Sequence, residues 1–365
     1  MTDTHLRPPS PLPRLLLSGI DSLYVAYFHD AANSSLDWDD LRFRKEQLKS
    51  ARRARVEPVT LGTETFALQP YGKHPYPIVL RNKAFEVRLA ERMQPTVYVQ
   101  FTSESLWTLG LEALAVRFHV WAESVGLTAI RPEQVSRADF AFDFAIAKPD
   151  FLIDHFIARE IKDTAWRERR RTQTIQIGTG DVVLRVYDKV AEVEQASAKV
   201  WFFQLWGQSS GVWRVEFQVR VKRLGTAGIR TLDDLAALQA DLLRELAGQM
   251  TLRAPGADSN RSRWPLHPLW RALQAAIADR PQTGLVAQLN PPALLDWRLE
   301  RSLRSLYGSL KGIGALVSLR NGLPQPETLS EVLEALEEHL VPHHSPTLWR
   351  ADLADRMTRY ELGQW

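Results

Sequence analysis

The stretch Ser136-Arg-Ala-Asp-Phe-Ala-Phe-Asp-Phe144 alternates in the way that a β-strand requires. Because successive side chains of a strand point to opposite sides, Asp139 and Asp143 fall on one face and the phenylalanines on the other. The aromatic face is suited to a core, so the other face presents carboxylates instead of ordinary solvent-facing side chains. The stretch therefore predicts a strand whose polar face carries chemistry.

Two later stretches show the same property. In the stretch 183–189, Arg185, Tyr187 and Lys189 share one face of an alternating strand. The polar face of the stretch 213–220 reads Arg214, Glu216, Gln218, Arg220. If the three strands pair in one sheet, carboxylates, a phenol and several cations project from one surface. That inventory fits metal-assisted chemistry on a phosphodiester.

Length and composition indicate a globular protein without a membrane span. A chain of 365 residues holds two or three domains, or one large domain with an appendage. No apolar run approaches the roughly 18 residues that a span needs, and the N-terminus lacks a signal-peptide pattern. The absence of cysteine excludes disulfides, thiolate metal sites and cysteine nucleophiles. These features favour a cytoplasmic location.

Basic residues cluster on an otherwise balanced chain, whose net charge is +3 and whose pI is about 9.1. The clusters are Arg42, Arg44, Lys45, Lys49, Arg52, Arg53 and Arg55; Arg167, Arg169, Arg170 and Arg171; and Lys222 with Arg223. Such clusters favour nucleic acid or another polyanion as partner. The alternative is a set of solvated helix faces whose cations pair with acids such as Glu46 and Glu168.

The order of the predicted elements partly repeats along the chain. Both Ser18-Gly-Ile-Asp21 and Ser136-Arg-Ala-Asp139 run from Ser-x-x-Asp into an alternating strand. This repetition favours an internal duplication, although both segments are also explained as two capped strands. The residues 254–260 break the composition and predict a linker, beyond which the pattern turns helical.

The predicted fold class is α+β. We expect a largely antiparallel, duplicated sheet with helices on one face, followed by a C-terminal helical domain. Local patterns predict helices over 103–125 and 150–161, and Trp264, Trp270, Trp297 and Trp349 as core anchors of the helical domain. The predicted parts are a flexible leader at 1–13, a first α+β half at 14–130, a second half with the catalytic motifs at 131–253, and an accessory helical domain at 261–365.

The acids predict a site for a hard divalent ion. Asp139 and Asp143 lie about 13 Å apart along a straight strand, so both bind one ion only if the strand bends or bulges. Glu216 on a neighbouring strand completes a carboxylate set, and oxygen ligands indicate Mg²⁺ or Mn²⁺. The alternative is a structural ion pair between an aspartate and Arg185 or Arg214.

Tyr187 lies between two cations on its face of the strand. Arg185 and Lys189 would favour its phenolate, and tyrosine is a known type of covalent nucleophile. The alternative is an ordinary half-buried strand tyrosine. Lys189, Arg214 and Arg220 are candidates for contacts to phosphate oxygens.

Several other function classes lack their motifs. The chain has no P-loop, no HExxH and no pair of histidines separated by one residue, which is the metal site of many DNA-nicking enzymes. Gly178-Thr-Gly180 is typical of a hairpin turn and is not a dinucleotide fingerprint.

At these residues the chain resembles the replication initiation factor family (Rep_trans), the initiators of rolling-circle plasmids and filamentous phages and the related relaxases of conjugative elements. The resemblance covers roughly residues 15–225. It rests on the motifs Gly19-Ile-Asp21-Ser-Leu, Ser136-Arg-Ala-Asp139-Phe-Ala-Phe-Asp143, Ile177-Gly178, Leu184-Arg-Val-Tyr-Asp-Lys189 and Arg214-Val-Glu216.

The resemblance implies a site-specific single-strand DNA endonuclease that acts at a replication or transfer origin of a mobile element. The family's tyrosine attacks a phosphodiester, stays joined to the 5′ phosphate and leaves a 3′ hydroxyl. Carried over, Tyr187 is the nucleophile. Asp139, Asp143 and Glu216 are the ligands of Mg²⁺ or Mn²⁺, and Arg185, Lys189 and Arg214 are the phosphate contacts.

The expected partner is DNA, as a single-stranded or cruciform origin, with a host helicase and a second copy of the chain as further candidates. A competing hypothesis is a sequence-specific DNA-binding initiator or regulator without cleavage activity, in which the acids are structural.

Overall fold

A computed structural model describes residues 12–50, 57–158, 162–168, 171–280, 291–322 and 328–361 of the protein. The chain divides into two compact units, Met1–Gln288 and Leu289–Trp365. Within the described ranges, no helix combines the length and apolar character needed to cross a membrane. The fold class is α+β, as the sequence predicts.

The first unit is built on one sheet of eleven strands, whose described pairings are all antiparallel. A small second sheet pairs β8 with β13. The strands are β1 Arg14–Asp30, β2 Glu57–Leu61, β3 Glu64–Leu68, β4 Ile78–Arg81, β5 Phe85–Leu89, β6 Val97–Phe101, β7 Thr128–Ala145, β8 Phe156–Ile157, β9 Asp163–Glu168, β10 Arg171–Ile177, β11 Val182–Asp188, β12 Val212–Arg220 and β13 Thr251–Leu252.

The strand order has the arrangement expected of two related halves. The order is β2-β3-β4-β5-β6-β1-β7-β12-β11-β10-β9, with the long strands β1 and β7 paired at the centre. On each side of this pair, the last strand of that half lies next to the first. The earlier strands then follow outward. The Ser-x-x-Asp segments that repeat in the sequence thus lie within the two central strands.

Helices cover the apolar face of the sheet. The helices of the first unit are α1 Trp38–Ser50, α2 Ser103–Thr108, α3 Leu111–Ser124, α4 Lys189–Glu192, α5 Trp201–Trp206, α6 Val221–Thr226, α7 Leu232–Gln249 and α8 Pro268–Ala278. Phe118 and Trp121 of α3 and Trp270 of α8 share one core with Phe140 and Phe142 of β7. That core accounts for the alternation of the central strands, because it takes one side chain in two from each strand.

The second unit is helical. It contains α9 Pro291–Arg320, α10 Leu329–Leu340 and α11 Pro346–Glu361. Thr328 caps α10 by accepting a hydrogen bond from the backbone of Glu331, whose carboxylate accepts one from the backbone N–H of Thr328. This unit supports the expectation of C-terminal helices after an α+β part.

Several local predictions differ from the structure. The predicted helix 103–125 is interrupted at Gly110, whose φ of 81° suits glycine, and its first part is capped by Thr102. The predicted helix 150–161 is wrong, since a short 3₁₀ turn and β8 occupy its described part and residues 159–161 lie outside the described residues. The pairing of β8 with β13 overrides the helix propensity of this segment.

The segment 254–260 does not separate two units. Helix α8, which follows it, packs into the core of the first unit, where Trp270 is fully buried. Trp270 is therefore a core anchor, although of the sheet unit, whereas Trp349 is 57% exposed and that prediction is wrong. The side chain of Trp297 lies outside the described residues. The division at 130/131 between two halves stays a prediction.

Two of the basic clusters lie partly outside the described residues, namely at Arg52, Arg53, Arg55, Arg169 and Arg170. On α1, Arg42 and Arg44 pair with nearby acids at the surface. Such exposed pairs contribute little to stability. They leave the polyanion hypothesis open for this helix.

The end of α3 supplies a test of the fold. Gly126 has a φ of 73°, and a Cβ there would lie 2.9 Å from the backbone oxygen of Asn33. Gly207 has a φ of 66° with open space around it. We predict that Gly207→Ala lowers the free energy of unfolding by about 1 kcal/mol through backbone strain alone, and Gly126→Ala by clearly more. Urea denaturation measures both; equal losses would contradict the packing at Gly126.

Candidate active site on the polar face of the sheet

The register of three adjacent strands gathers the predicted residues on one face. Strand β12 lies between β7 and β11, and pairs Arg214 with both Asp143 and Tyr187. Two residues further along β12, Glu216 lies opposite Arg185. The prediction that the three stretches pair in one sheet is confirmed. The side chains that the sequence singles out converge because they share the period of the pleat.

Tyr187 and Glu216 form the central contact of the face. The hydroxyl of Tyr187 donates to Oε2 of Glu216 at 2.8 Å, and Nη1 of Arg185 donates to Oε1 of Glu216 at 3.1 Å. Nε of Arg185 also donates to the side chain of Gln176 on β10 at 3.1 Å. Each carboxylate oxygen of Glu216 therefore accepts one hydrogen bond. Burial, and next the negative charge of Glu216, raise the pKa of Tyr187 well above its ordinary value.

A second network lies deeper, around Arg214. Its Nε and Nη2 donate to the two oxygens of Asp143 at 2.6 and 2.9 Å. Its Nη1 lies 2.8 Å from Oδ1 of Asp21 on β1, an ion pair without hydrogen-bond geometry. Arg214 and Asp143 are both fully buried. Because a buried charge is stable only when it is paired and hydrogen-bonded, these side chains are locked together.

Asp21 ties β1 and the overlying helices into this network. Ser103 and Trp107 donate to its Oδ1 at 2.9 Å, and Nζ of Lys199 lies 3.5 Å from its Oδ2. Burial alone would raise the pKa of Asp21, but the charges of Arg214, Lys199 and Lys189 and the hydrogen bond from Trp107 together outweigh it and lower the pKa. The carboxylate is therefore ionised throughout the physiological range.

Lys189 follows Tyr187 at the start of α4 and is almost fully buried. Its ammonium lies 5.6 Å from the ring centre of Tyr187 and 5.0 Å from that of Phe202, and it bonds Glu192. Burial, and next the charge of Arg214, lower its pKa. The buried ammonium of Lys189 therefore interacts with the aromatic ring of Tyr187 from inside the protein and not from solvent.

Asp139 lies apart from the Arg214 network. It accepts a hydrogen bond of 2.8 Å from Nε of Arg137, and it is paired across the ladder with Gln218 of β12. Burial, together with the negative charge of Glu216, raises the pKa of Asp139 to about 6, although the hydrogen bond from Arg137 acts to lower it. The buried amide nitrogen of Gln218 has no hydrogen-bond partner. This corner of the face therefore holds more oxygen atoms that can bind a metal ion than it holds cations.

The three predicted metal ligands do not form one cluster. Among the described residues, no group of three or more His, Asp or Glu side chains is placed to hold a metal ion. The oxygens of Asp143 are taken by Arg214 and by Nε1 of Trp206, which donates at 2.8 Å. The oxygens of Asp139 and Glu216 are bonded as well, by Arg137 and by Arg185 with Tyr187, but these two arginines are half-buried whereas Arg214 is fully buried. Asp139 and Glu216 are therefore the more accessible carboxylates for a hard cation, next to the amide of Gln218, and Asp143 is not.

The polar face is partly covered, which the sequence analysis did not predict. Helices α4 and α5 lie over it, and Val190, Val193, Phe202, Trp206 and Val212 form a small separate core there. The expectation of helices on one face holds for α3, α7 and α8 but not for α4 and α5. As a result Arg214 and Asp143 are dry, while Arg185 and Tyr187 are half-buried at the edge of the cover.

Sequence reasoning missed Asp21 as a partner of Arg214. The repeated Ser-x-x-Asp segment was a usable signal, because it places Asp21 and Asp139 at matching positions of the two central strands. No local pattern indicated Trp107 and Trp206, since their roles depend on how the covering helices dock. Arg220, a candidate phosphate contact, lies exposed at the end of β12.

Comparisons with known proteins yield remote likenesses among solved structures alone. No family model and no curated protein matches the chain. Among solved structures, the chain is similar to a rolling circle replication initiator protein from Geobacillus stearothermophilus, with 20% identity over 74% of this chain and 99% of that chain. The TM-score of 0.41 is too low to establish a shared fold.

The buried Arg214 network predicts a large effect on stability. Replacing Arg214 by methionine leaves Asp143 buried without its cation and Asp21 paired with the more distant Lys199, and we expect a loss of about 3–5 kcal/mol in the free energy of unfolding. Arg223, which pairs with Glu245 near the surface, is the matched control, and Arg223→Met should cost within about 1 kcal/mol. Urea denaturation compares them. A similar cost for the two substitutions would show that the buried network is not as described.

Proposed function

We propose that the protein is a metal-dependent tyrosine DNA endonuclease and strand transferase, which nicks one strand at an origin to start rolling-circle replication or conjugative transfer of a mobile element. The observation that carries the proposal is the hydrogen bond of 2.8 Å from the Tyr187 hydroxyl to Glu216. It places a nucleophile type beside a proton acceptor, at the half-open edge of a face with several cations. The resemblance of the motifs to initiators supports the same chemistry.

Glu216 has the position of a general base for Tyr187. The raised pKa keeps the phenol protonated at neutral pH, so attack requires transfer of its proton. In the proposed step the phenolic oxygen bonds to phosphorus and its proton passes to Oε2 of Glu216. The bond from phosphorus to the 3′ oxygen breaks, and that oxygen takes a proton from solvent. The products are a 5′-phosphotyrosine and a 3′ hydroxyl.

The cations divide between two roles. Arg185 is half-buried and holds Glu216, so its remaining donors are placed to contact a phosphate that approaches Tyr187. Arg214 is fully buried between two carboxylates, which leaves it no access to a phosphate. We therefore replace its predicted phosphate contact with a positioning role. Lys189, also buried, favours the phenolate through its place over the Tyr187 ring.

Asp139 and Glu216 are the residues that would hold Mg²⁺ or Mn²⁺, with the amide of Gln218 beside them. Burial and the charge of Glu216 raise the pKa of Asp139, so a bound cation would stabilise its ionised form there. When bound, the ion would supply polarisation of the target phosphate. Asp143 is left out of the proposed set because its partner Arg214 is fully buried with it, whereas Arg137 and Arg185, the partners of Asp139 and Glu216, are half-buried.

The second candidate function is a sequence-specific DNA-binding initiator or regulator without cleavage activity. One observation favours it: Asp139, Asp143 and Glu216 each have an arginine partner, as expected of structural acids. Under this alternative the protein binds DNA with steep salt dependence and is indifferent to chelators. A host helicase and a second copy of the chain stay candidate partners under both functions.

The nucleophile is tested with a randomised pool of fluorescent single-stranded oligonucleotides and Mn²⁺. We expect the native protein to form a covalent adduct that survives a denaturing gel, and Tyr187→Phe to bind the pool equally well without an adduct, because only the phenolic oxygen is removed. Tyr71→Phe, at a 66% exposed tyrosine, is the matched control and should keep the adduct. An adduct at undiminished yield with Tyr187→Phe would remove Tyr187 from this role.

The metal site is tested by calorimetric titration with Mn²⁺ in the absence of DNA. We expect Asp139→Asn to weaken Mn²⁺ binding about tenfold or more, because the substitution removes a charged oxygen donor. Asp181→Asn, at a surface carboxylate near Lys222, should leave the affinity unchanged. Equal affinities of native protein and Asp139→Asn would show that Asp139 is not a ligand.

A further inference from the structure

The polar face of the first half of the sheet carries a group of aromatic rings, here named the tyrosine platform: Tyr24, Tyr76 and Tyr98. The ring centres of Tyr24 and Tyr76 lie 6.2 and 5.8 Å from that of Tyr98. The guanidinium of Arg88 lies 5.3 Å from the ring centre of Tyr98, and that of Arg137 lies 5.1 Å from the ring centre of Tyr24. Tyr24 and Tyr98 are half-buried, so part of each ring faces outward.

A group of cations borders the platform with an excess of positive charge. Lys73, Arg81 and Arg88 donate to a single carboxylate, that of Glu86, at 2.7, 2.6 and 2.7 Å. Burial opposes the ionisation of Glu86, but the hydrogen bonds from these cations lower its pKa to about 2. Three cations thus share one negative charge. The remaining two charges are available to a polyanion.

The platform is open where the matching part of the second half is covered. In the second half the connection between β11 and β12 spans 189–211 and supplies the covering helices α4 and α5. In the first half the connection between β5 and β6 spans only 90–96. A cleft of about 460 Å³ opens there, and its lining includes Tyr76, Arg88, Tyr98 and Gln134. The short connection therefore exposes the same face that the long one buries.

The platform is continuous with the candidate active site. Arg137 contacts the ring of Tyr24 on one side and the carboxylate of Asp139 on the other. Four strand spacings separate β6 from β11, about 19 Å across the sheet. At roughly 3.4 Å per stacked nucleotide this distance corresponds to about five or six nucleotides, which lies within a single-strand site size of roughly 4–16 nucleotides.

We propose that the tyrosine platform and its bordering cations bind single-stranded DNA and lead it across the sheet toward Tyr187. Unpaired bases stack on tyrosine faces whatever their sequence, while the cations contact the phosphates. A duplex keeps its bases stacked inside and so gains only the charge contacts. The choice of DNA rests on the proposed function, whereas the platform itself rests on the rings, the charges and the cleft.

The test measures fluorescence anisotropy of the full-length protein with a labelled oligothymidine of about 20 nucleotides, in EDTA so that no cleavage occurs. We expect Tyr98→Leu to weaken binding about tenfold or more through lost stacking. Arg81→Gln, at a more exposed side chain, should weaken it a few-fold and lower the slope of log affinity against log salt by about one unit. Arg271→Gln, at an exposed arginine of α8, is the matched control and should bind as the native protein does.

Native-like binding by both Tyr98→Leu and Arg81→Gln would overturn the proposal, and so would equal affinity for single strand and duplex. Because Arg81 is at the surface, its result stands even if Tyr98→Leu fails to fold. Tighter, Tyr98-dependent binding of a ribonucleotide oligomer would overturn the assignment to DNA. Platform-dependent binding by a protein that forms no adduct would contradict only the proposed function, since binding is measured without divalent ions.

Discussion

Arg214 lies buried between Asp143 and Asp21, at the place where β12, β7 and β1 adjoin. The three side chains come from three strands, so their ion pairs fix how these strands and the residues around them are placed. Lys199 and Trp107 join from the covering segments and complete the shell around Asp21. Moving any of these groups would leave a charge buried without a partner, which is costly in a dry interior. The position of Tyr187, directly opposite Arg214 on β11, follows from this arrangement.

The roles of the charged residues follow from whether each side chain is fully buried or half-buried. Arg214 and Asp143 lie under the small core around Phe202 and Trp206, where they position their neighbours. Tyr187 and Arg185 are half-buried at the edge of this cover, and both contact the buried carboxylate of Glu216. In the first half of the sheet a shorter connection leaves the corresponding face open, and aromatic rings occupy it. One face of the sheet thus contains both a buried ion-pair network and an accessible aromatic surface.

The alternation of the strands made much of this predictable from sequence. Period-2 patterning placed Asp139, Asp143, Arg185, Tyr187 and Glu216 on one face, and the observed register agrees. It could not decide which acid meets which cation, because that depends on strand order and on one-residue shifts such as those between β1 and β7. Nor could it show that α4 and α5 fold back over the charges, since their short apolar runs do not reveal where they dock. For that reason the sequence leaves open whether Asp143 and Arg214 serve a metal and a phosphate or pair with each other, and the structure shows the ion pair.

The central claim is that the Tyr187 oxygen becomes joined to DNA. Mass spectrometry of a tryptic digest, after reaction of the protein with single-stranded DNA and Mn²⁺, tests it most directly. Cleavage after Arg185 and Lys189 isolates the peptide Val186-Tyr-Asp-Lys189, which holds Tyr187 as its only tyrosine. The account predicts a nucleotide 5′ phosphate on this peptide. The same mass increment on a peptide that contains Tyr24, Tyr27 or Tyr98 would contradict it.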